Sequence, residues 1–162
     1  MIKKITILVY FMIFFSCNHQ KEIAKISFND FNGGKFGAYS KLEITKEHIY
    51  YVNGNVKSKK VTKEKTSREL WNNLTKVSID DFLKVRSNPG RIAYDGTDVE
   101  ITILFGDEYF LIVNGEEDTL NYKKIKLFVS LLEKQNDIFK NKHKQSLSTD
   151  EPKNKAIKCS QP

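Results

Sequence analysis

Three carboxylates fall within six residues in Tyr94-Asp95-Gly96-Thr97-Asp98-Val99-Glu100, with a glycine among them to turn the chain. Oxygen ligands at that density are what a Ca²⁺ ion takes. The spacing is not that of an EF-hand, because the ligand ladder and the closing glutamate are missing. The simpler reading is a polar entry into a strand, with Asp98 and Glu100 facing water. Asp95, Asp98 and Glu100 are thus weak metal candidates and the only plausible acids of an enzyme. A second acidic cluster, Glu116-Glu117-Asp118, precedes a helical pattern, where negative charge favours the N-terminal dipole. The three histidines are His19, His48 and His143. They sit in a polar tether, at a strand start and in a polar tail, so neither a zinc site nor a Ser-His-Asp triad assembles from them. No catalytic residue and no cofactor is assigned.

A different kind of chemistry is open to Asn32-Gly33-Gly34-Lys35-Phe36-Gly37. Glycine has no Cβ, so its backbone can come close to a ligand or partner. The residues after Lys35 are wrong for a P-loop, and no helix opens there. The simpler reading is a wide loop between two strands. The functional one is a partner contact made by Gly33, Gly34, Lys35, Phe36 and Gly37, since loops carry function disproportionately. Phe31, Phe36, Tyr39, Tyr50, Tyr51, Tyr94 and Tyr109 surround this region. Most of them suit core or strand-surface positions, and an exposed cluster would mark a binding face.

The elements that must hold these residues follow from periodicity. Ile23 to Phe28 forms a short first strand, followed by the glycine-rich loop. Ala38 to Thr45 alternates, with Ala38, Ser40, Leu42 and Ile44 on one side, as a half-buried strand does. His48 to Val52 is the next strand. Asn53-Gly54 then gives a tight hairpin signal, because both residues tolerate positive φ, and a return strand runs from about Asn55 to Val61. Thr66-Ser67-Arg68-Glu69 has the pattern of a capping box led by Thr66, with Leu70, Trp71, Leu74 and Val77 at helical spacing. Ser78 with Asp81 starts a further turn, which Pro89 and Gly90 end. Asp98 to Phe105 alternates cleanly, turns at Gly106-Asp107 and returns over Glu108 to Val113. From Asn121 to about Asn136, Ile125, Phe128, Val129, Leu131 and Leu132 form a wide apolar stripe.

Hairpins rather than βαβ units imply an antiparallel sheet. The expected fold is α+β, with about six strands and two main helices on one face. Burial of the helices' apolar sides would place Trp71, Leu74, Phe128 and Leu132 on Leu42, Ile44, Ile101 and Ile103. The organisation expected is residues 1–16 as a leader, 17–22 as a tether, 23–139 as one domain and 140–162 as a disordered Lys-rich tail.

The formal charge of the 162-residue chain is +7. Residues 1–16 carry Lys3 and Lys4, and residues 140–162 carry six lysines against Asp150 and Glu151, which leaves +1 for residues 17–139. The basic excess lies outside the expected domain, which argues against a nucleic-acid surface.

The leader is Met1-Ile2-Lys3-Lys4, an apolar run from Ile5 to Phe15, then Ser16-Cys17. A cationic start, a short apolar segment and a small residue at the cut describe a secretory signal. The run is about half the roughly 20 residues that span a bilayer. Phe14-Phe15-Ser16-Cys17 resembles a lipobox, with Phe15 where a smaller residue is more usual. The aromatic-rich version is similar to those of small lipoproteins of Bacteroidetes-type bacteria. That resemblance implies cleavage between Ser16 and Cys17, a diacylglyceryl thioether on Cys17 and anchoring in the bilayer. Two or three acyl chains, at about 0.8 kcal/mol per buried methylene, hold a protein stably where one does not. With Cys17 acylated, Cys159 is the remaining thiol, so no intrachain disulfide is expected. Asn18-His19-Gln20-Lys21-Glu22 lacks the acidic cluster that resembles a surface-export tag, which favours an outer-membrane site facing the periplasm. The Gly33-Gly34…Gly37 loop with its following strand, the Tyr94-Asp95-Gly96-Thr97 entry and the last helix resemble the same lipoproteins. The glycine-glycine-aromatic loop and a ββαββα-like order are also similar to emfourin-type metalloprotease inhibitors. These resemblances imply a binding or inhibitory module with a protein partner. The alternative is a structural envelope lipoprotein that touches anionic lipid or cell wall through its basic tail.

Overall fold

The computed structural model describes residues 21–32, 38–55, 58–89 and 97–149. Six strands form one antiparallel sheet: β1 (Ile23–Asn32), β2 (Ala38–Thr45), β3 (His48–Gly54), β4 (Lys59–Lys65), β5 (Thr97–Phe105) and β6 (Glu108–Val113). Their order is β4-β3-β2-β1-β5-β6. Between β4 and β5 come α1 (Arg68–Leu74) and α2 (Ile79–Lys84), and a 3-10 turn (Gly115–Glu117) leads into the long α3 (Thr119–Thr149). The chain is the α+β fold that its patterning implies.

β1 is the axis of the sheet. It pairs with β2 from Lys25↔Thr45 to Asn32↔Ala38, and with β5 from Ile23↔Phe105 to Asn32↔Thr97. This carries β1 four residues beyond Phe28, where the sequence reading ends it. A strand paired on both sides satisfies its backbone on both edges, which extends it into the polar Asn29-Asp30-Phe31-Asn32. The register shifts between Ile23 and Lys25. The bulge changes the side-chain parity, so Ile23 and Ile26 are both buried while Lys25 lies on the other face.

The helices cover one face. Trp71, Leu74, Phe128 and Leu132 are buried in the same apolar cluster as Leu42, Ile44, Ile101 and Ile103, as the patterning implies. Phe82 meets Phe128 edge-on at 6.2 Å between ring centroids, a favourable aromatic geometry.

Four local expectations are corrected. Asn53 and Gly54 are not the turn but the last residues of β3, opposite Lys60 and Lys59. The connection instead involves Asn55, whose N–H donates to the Ser58 carbonyl at 2.8 Å and whose Oδ1 accepts from the Ser58 N–H at 2.9 Å. Gly54 is still needed, because a Cβ there would stand 2.6 Å from the Ser58 carbonyl oxygen. The return strand consequently starts at Lys59 rather than near Asn55. The cap of α1 is Ser67, which accepts from the Leu70 N–H at 3.1 Å. Thr66, the expected cap, donates its hydroxyl to the Thr45 carbonyl at 2.8 Å and ties the helix entry to the end of β2.

Finally, α3 runs to Thr149 rather than to about Asn136. Lys140, Lys142 and Lys144, read from sequence as part of a disordered tail, are helical residues of the folded body. The reason is packing: Phe139 is 2% exposed and stacks on Tyr51 at 5.3 Å. Lys142 binds Glu64 of β4 at 2.8 Å. Residues 150–162 lie outside the described residues. Among the described residues no helix is long and apolar enough to cross a membrane.

Candidate functional site

A sheet with helices on one face leaves the other face open. Strand alternation places Lys25, Ser27, Asn29 and Phe31 of β1 there, beside Tyr39, Lys41 and Glu43 of β2 and His48, Tyr50 and Val52 of β3. β5 adds Asp98, Glu100, Thr102 and Leu104, and β6 adds Tyr109, Leu111 and Val113. The centre is small and polar, with Ser27 only 7% exposed. The margins are large and apolar. Tyr109 is 64% exposed, Leu111 54% and Val61 56%. Phe31 meets Tyr39 at 6.4 Å at the end from which residues 33–37 depart. Lysines lie over the outer rings, Lys25 Nζ at 5.9 Å from Tyr109 and Lys63 Nζ at 5.2 Å from Tyr50. Both distances are within cation–π range, where the ring quadrupole attracts the ammonium. The aromatics thus divide: Tyr51 is core, at 1% exposed, and Phe31, Tyr39, Tyr50 and Tyr109 belong to the open face. Phe36 and Tyr94 lie outside the described residues.

The two edges of the sheet differ. β4 carries Lys59, Lys60, Lys63 and Lys65, the usual protection of an edge strand against pairing. β6 reads Glu-Tyr-Phe-Leu-Ile-Val and has no lysine. Its far end is covered, since Asn88 N–H donates to the Val113 carbonyl at 2.8 Å and Val113 N–H donates to Ser87 Oγ at 3.1 Å.

Under the end of the sheet that carries Phe31, a polar cluster is set into the core side. Ser40 is 4% exposed and Asn136 is 2% exposed. Ser40 Oγ donates to Asn136 Oδ1 at 3.2 Å, and Asn136 Nδ2 donates to Asp30 Oδ2 at 3.4 Å. The same Asp30 oxygen accepts a charge-assisted bond from Lys140. The Tyr51 hydroxyl accepts from Asn53 Nδ2 at 3.5 Å. Burial is the main cause that raises the Tyr51 pKa above 10.0. In a neighbouring groove that Phe28, Val99 and Asp137 also line, burial pushes Glu133 above its usual 4.5, with Asp137 and Glu116 adding repulsion.

The residues singled out from sequence divide as follows. Ser16, Cys17, Gly33, Gly34, Lys35, Phe36, Gly37 and Asp95 lie outside the described residues. Asp98 and Glu100 share the open face and are held by separate partners. Asn114 Nδ2 donates to Asp98 Oδ1 at 2.9 Å, and Asn29 Nδ2 donates to Glu100 Oε2 at 3.2 Å. Both carboxylates are therefore tied into the sheet surface. Among the described residues no group of three or more His, Cys, Asp or Glu is placed to hold a metal ion. His48 packs at 6.0 Å from Tyr50, on the outer face of a strand.

No protein-family model and no curated protein matches the chain.

Residue types and spacing do not point to Asp30, Ser40, Asn136, Lys140 or Lys144 as site residues. Patterning alone puts Asp30 in a loop and the two lysines in a tail. A usable signal was present in the helix: the stripe Ile125, Phe128, Val129, Leu132 continues through Asn136 to Phe139 at the same spacing. A polar residue inside an apolar stripe marks either a helix end or a buried hydrogen-bonded group. Phe139 beyond it decides for the second.

Proposed function

We propose that this chain is a membrane-anchored lipoprotein of the bacterial envelope whose body binds a protein partner without catalysing a reaction. The anchor rests on the apolar run Ile5–Phe15 followed by Ser16-Cys17. The binding role rests above all on the open face, where exposed aromatic and aliphatic side chains gather beside an edge strand that lysines do not guard. The two parts fit geometrically. The chain enters β1 beside the β5–β6 turn, where Gly106 N–H donates to the Glu22 carbonyl at 2.9 Å and Lys21 binds Glu108 at 2.6 Å. Ten residues of β1 then separate that entry from Asn32. At about 3.3 Å per residue, the end bearing Phe31 and Tyr39 stands ~30 Å from that entry. A contact made by Gly33, Gly34, Lys35, Phe36 and Gly37 would be made there.

Cys17→Ser should leave the leader uncut and move the protein out of the membrane fraction; trimming and membrane partition that persist would overturn the anchor. For the body, capture from native envelope with the anchor intact should lose its partner when Tyr109 and Leu111 become glutamate, or when Gly33 and Gly34 become tryptophan. Unchanged capture by all of these variants would remove the open face and the loop as the contact.

A second reading is favoured by one observation. Lys59, Lys60, Lys63 and Lys65 line the β4 edge of the sheet, and Lys142 of α3 reaches the same edge through Glu64. That edge could meet an anionic polymer or lipid as a structural envelope protein does. Envelope binding that falls with salt and with reversal of these lysines would support it; salt-independent binding would exclude it.

A further inference from the structure

A cavity of about 290 Å³ opens between the sheet and α3, at the end of β1 far from the anchor segment. Asp30, Ser40, Asn53, Lys140 and Lys144 line it, together with Ala38 and Tyr39. Its floor is a built structure. Ser40 and Asn136 are almost wholly buried and bonded to each other, and Asn136 holds Asp30 from behind. The Asp30 side chain is 16% exposed, and its charge is matched by Lys140. Lys144 lies one helical turn beyond Lys140 on the same cavity wall and has no charged partner among the described residues. The walls therefore carry one surplus positive charge. They are also rich in donors: Lys144 Nζ, the N–H groups of Lys140 not directed at Asp30, and Asn53 Nδ2.

We propose that this cavity receives a carboxylate presented by the protein partner. The inference rests on the binding-module reading and deepens it by naming the group that the partner offers. A single surplus cation matches a monoanion. A dianionic phosphate would leave one negative charge unmatched beside Asp30, and a neutral amide would leave Lys144 without a counter-charge. Glu133 and Asp137 stand on the other side of the Asp30–Lys140 bridge, in a separate groove with Phe28, Val99 and Asn136. The bridge thus divides an acidic groove from the basic cavity. Because a carboxylate is acceptor-only, it takes from Lys144 and Asn53 without competing for the bonds that hold Asp30 and Asn136 in place.

The test is a titration of the full chain in detergent, followed by amide chemical shifts of Ser40, Asn53 and Lys144. N-acetylaspartate α-methylamide supplies a side-chain carboxylate, N-acetylalanine a terminal one, and the asparagine and alanine methylamides are the neutral counterparts; inorganic phosphate is the third probe. Saturable shifts at these residues are expected for at least one carboxylate, with its neutral counterpart weaker by about tenfold, the change expected on removing a charge-assisted hydrogen bond. Which carboxylate binds tells an acidic side chain from a chain terminus. Lys144→Met should weaken binding by a similar factor, and Lys144→Arg should retain it. Equal binding of neutral probes, tighter binding of phosphate than of either carboxylate, unchanged affinity in Lys144→Met, or no shifts at all would each overturn the proposal. Partner capture by the same preparation separates the two claims: capture that persists without any carboxylate binding leaves the binding module standing and removes only the cavity's role.

Discussion

Replacing Asn114 tests the corner that joins β5, β6 and α3. Asn114 is 1% exposed and holds φ 48° and ψ 44°, the left-handed region. Its backbone N–H donates to the Val99 carbonyl at 2.9 Å, and its side-chain Oδ1 accepts from the Val99 N–H at 3.0 Å. The side chain thus continues the β5–β6 ladder by one rung where the backbone has turned away. Nδ2 donates to Asp98 at 2.9 Å and to the Asn88 carbonyl at 3.3 Å. In Asn114→Ala the Val99 N–H loses its partner, which costs about 1–3 kcal/mol for a buried donor. Asp98 and Asn88 can turn to water and add less. Holding alanine at positive φ adds about 1 kcal/mol. The expected loss is about 2–4 kcal/mol, a large share of the 5–15 kcal/mol typical of a domain. Asn114→Gly accepts the backbone conformation and loses the same bonds, so it should be milder by about 1 kcal/mol. Urea unfolding followed by circular dichroism reads both, with the slope unchanged and the midpoint lowered by about 1–2 M for alanine. If both variants unfold within about 0.5 kcal/mol of the parent, the side chain is not a rung of the ladder and the reasoning fails.

Three further outcomes follow from packing and charge. Phe139→Ala should cost about 3–5 kcal/mol in a thermal or urea melt, because the ring is buried against Tyr51; a loss under 1 kcal/mol would mean that α3 does not dock past Asn136. Gly54→Ala should destabilise by about 1–3 kcal/mol through its contact with the Ser58 carbonyl, and Asn53→Ala, which makes no such contact, should be milder in the same melt. Asp118 is held below its ordinary 3.8, first by the Asn121 side chain and then by the Arg86 backbone N–H. A lowered folded value means that its contribution is present above 3.8 and is lost as pH falls through the folded value. Asp118→Asn should therefore melt lower than the parent at pH 7, with the gap closing below pH ~3.8; a gap constant down to pH 2 would contradict this.

Local chemistry was readable from the chain wherever a short-range rule governs. The alternation of Ala38–Thr45 and Asp98–Phe105, the Gly106-Asp107 turn and the Ser78 cap stand where their spacing places them. Asn53-Gly54 misled because a turn motif competes with pairing. The β3–β4 ladder gains two more pairs by carrying both residues into the strand, and the turn moves outward to Asn55. Thr66 misled for a similar reason, since either Thr66 or Ser67 suits a cap and only the nearby Thr45 carbonyl engages the first. Of the candidate site, the open aromatic face followed from two helices covering one side. The polar cluster did not, since Asp30 and Lys140 are 110 residues apart and nothing local to either announces the other.

The sequence by itself determined the hydrophobic pattern, the leader-like apolar run with its Ser16-Cys17 end, and an α+β sheet with one face covered, because each depends on residues within a few positions of one another. Only the tertiary structure decided the central place of β1, the length of α3, and the meeting of Asp30, Ser40, Asn136, Lys140 and Lys144 around a cavity. Those depend on which surfaces are buried together. A lysine counted as tail becomes part of a site when Phe139 finds Tyr51 and the helix continues through it.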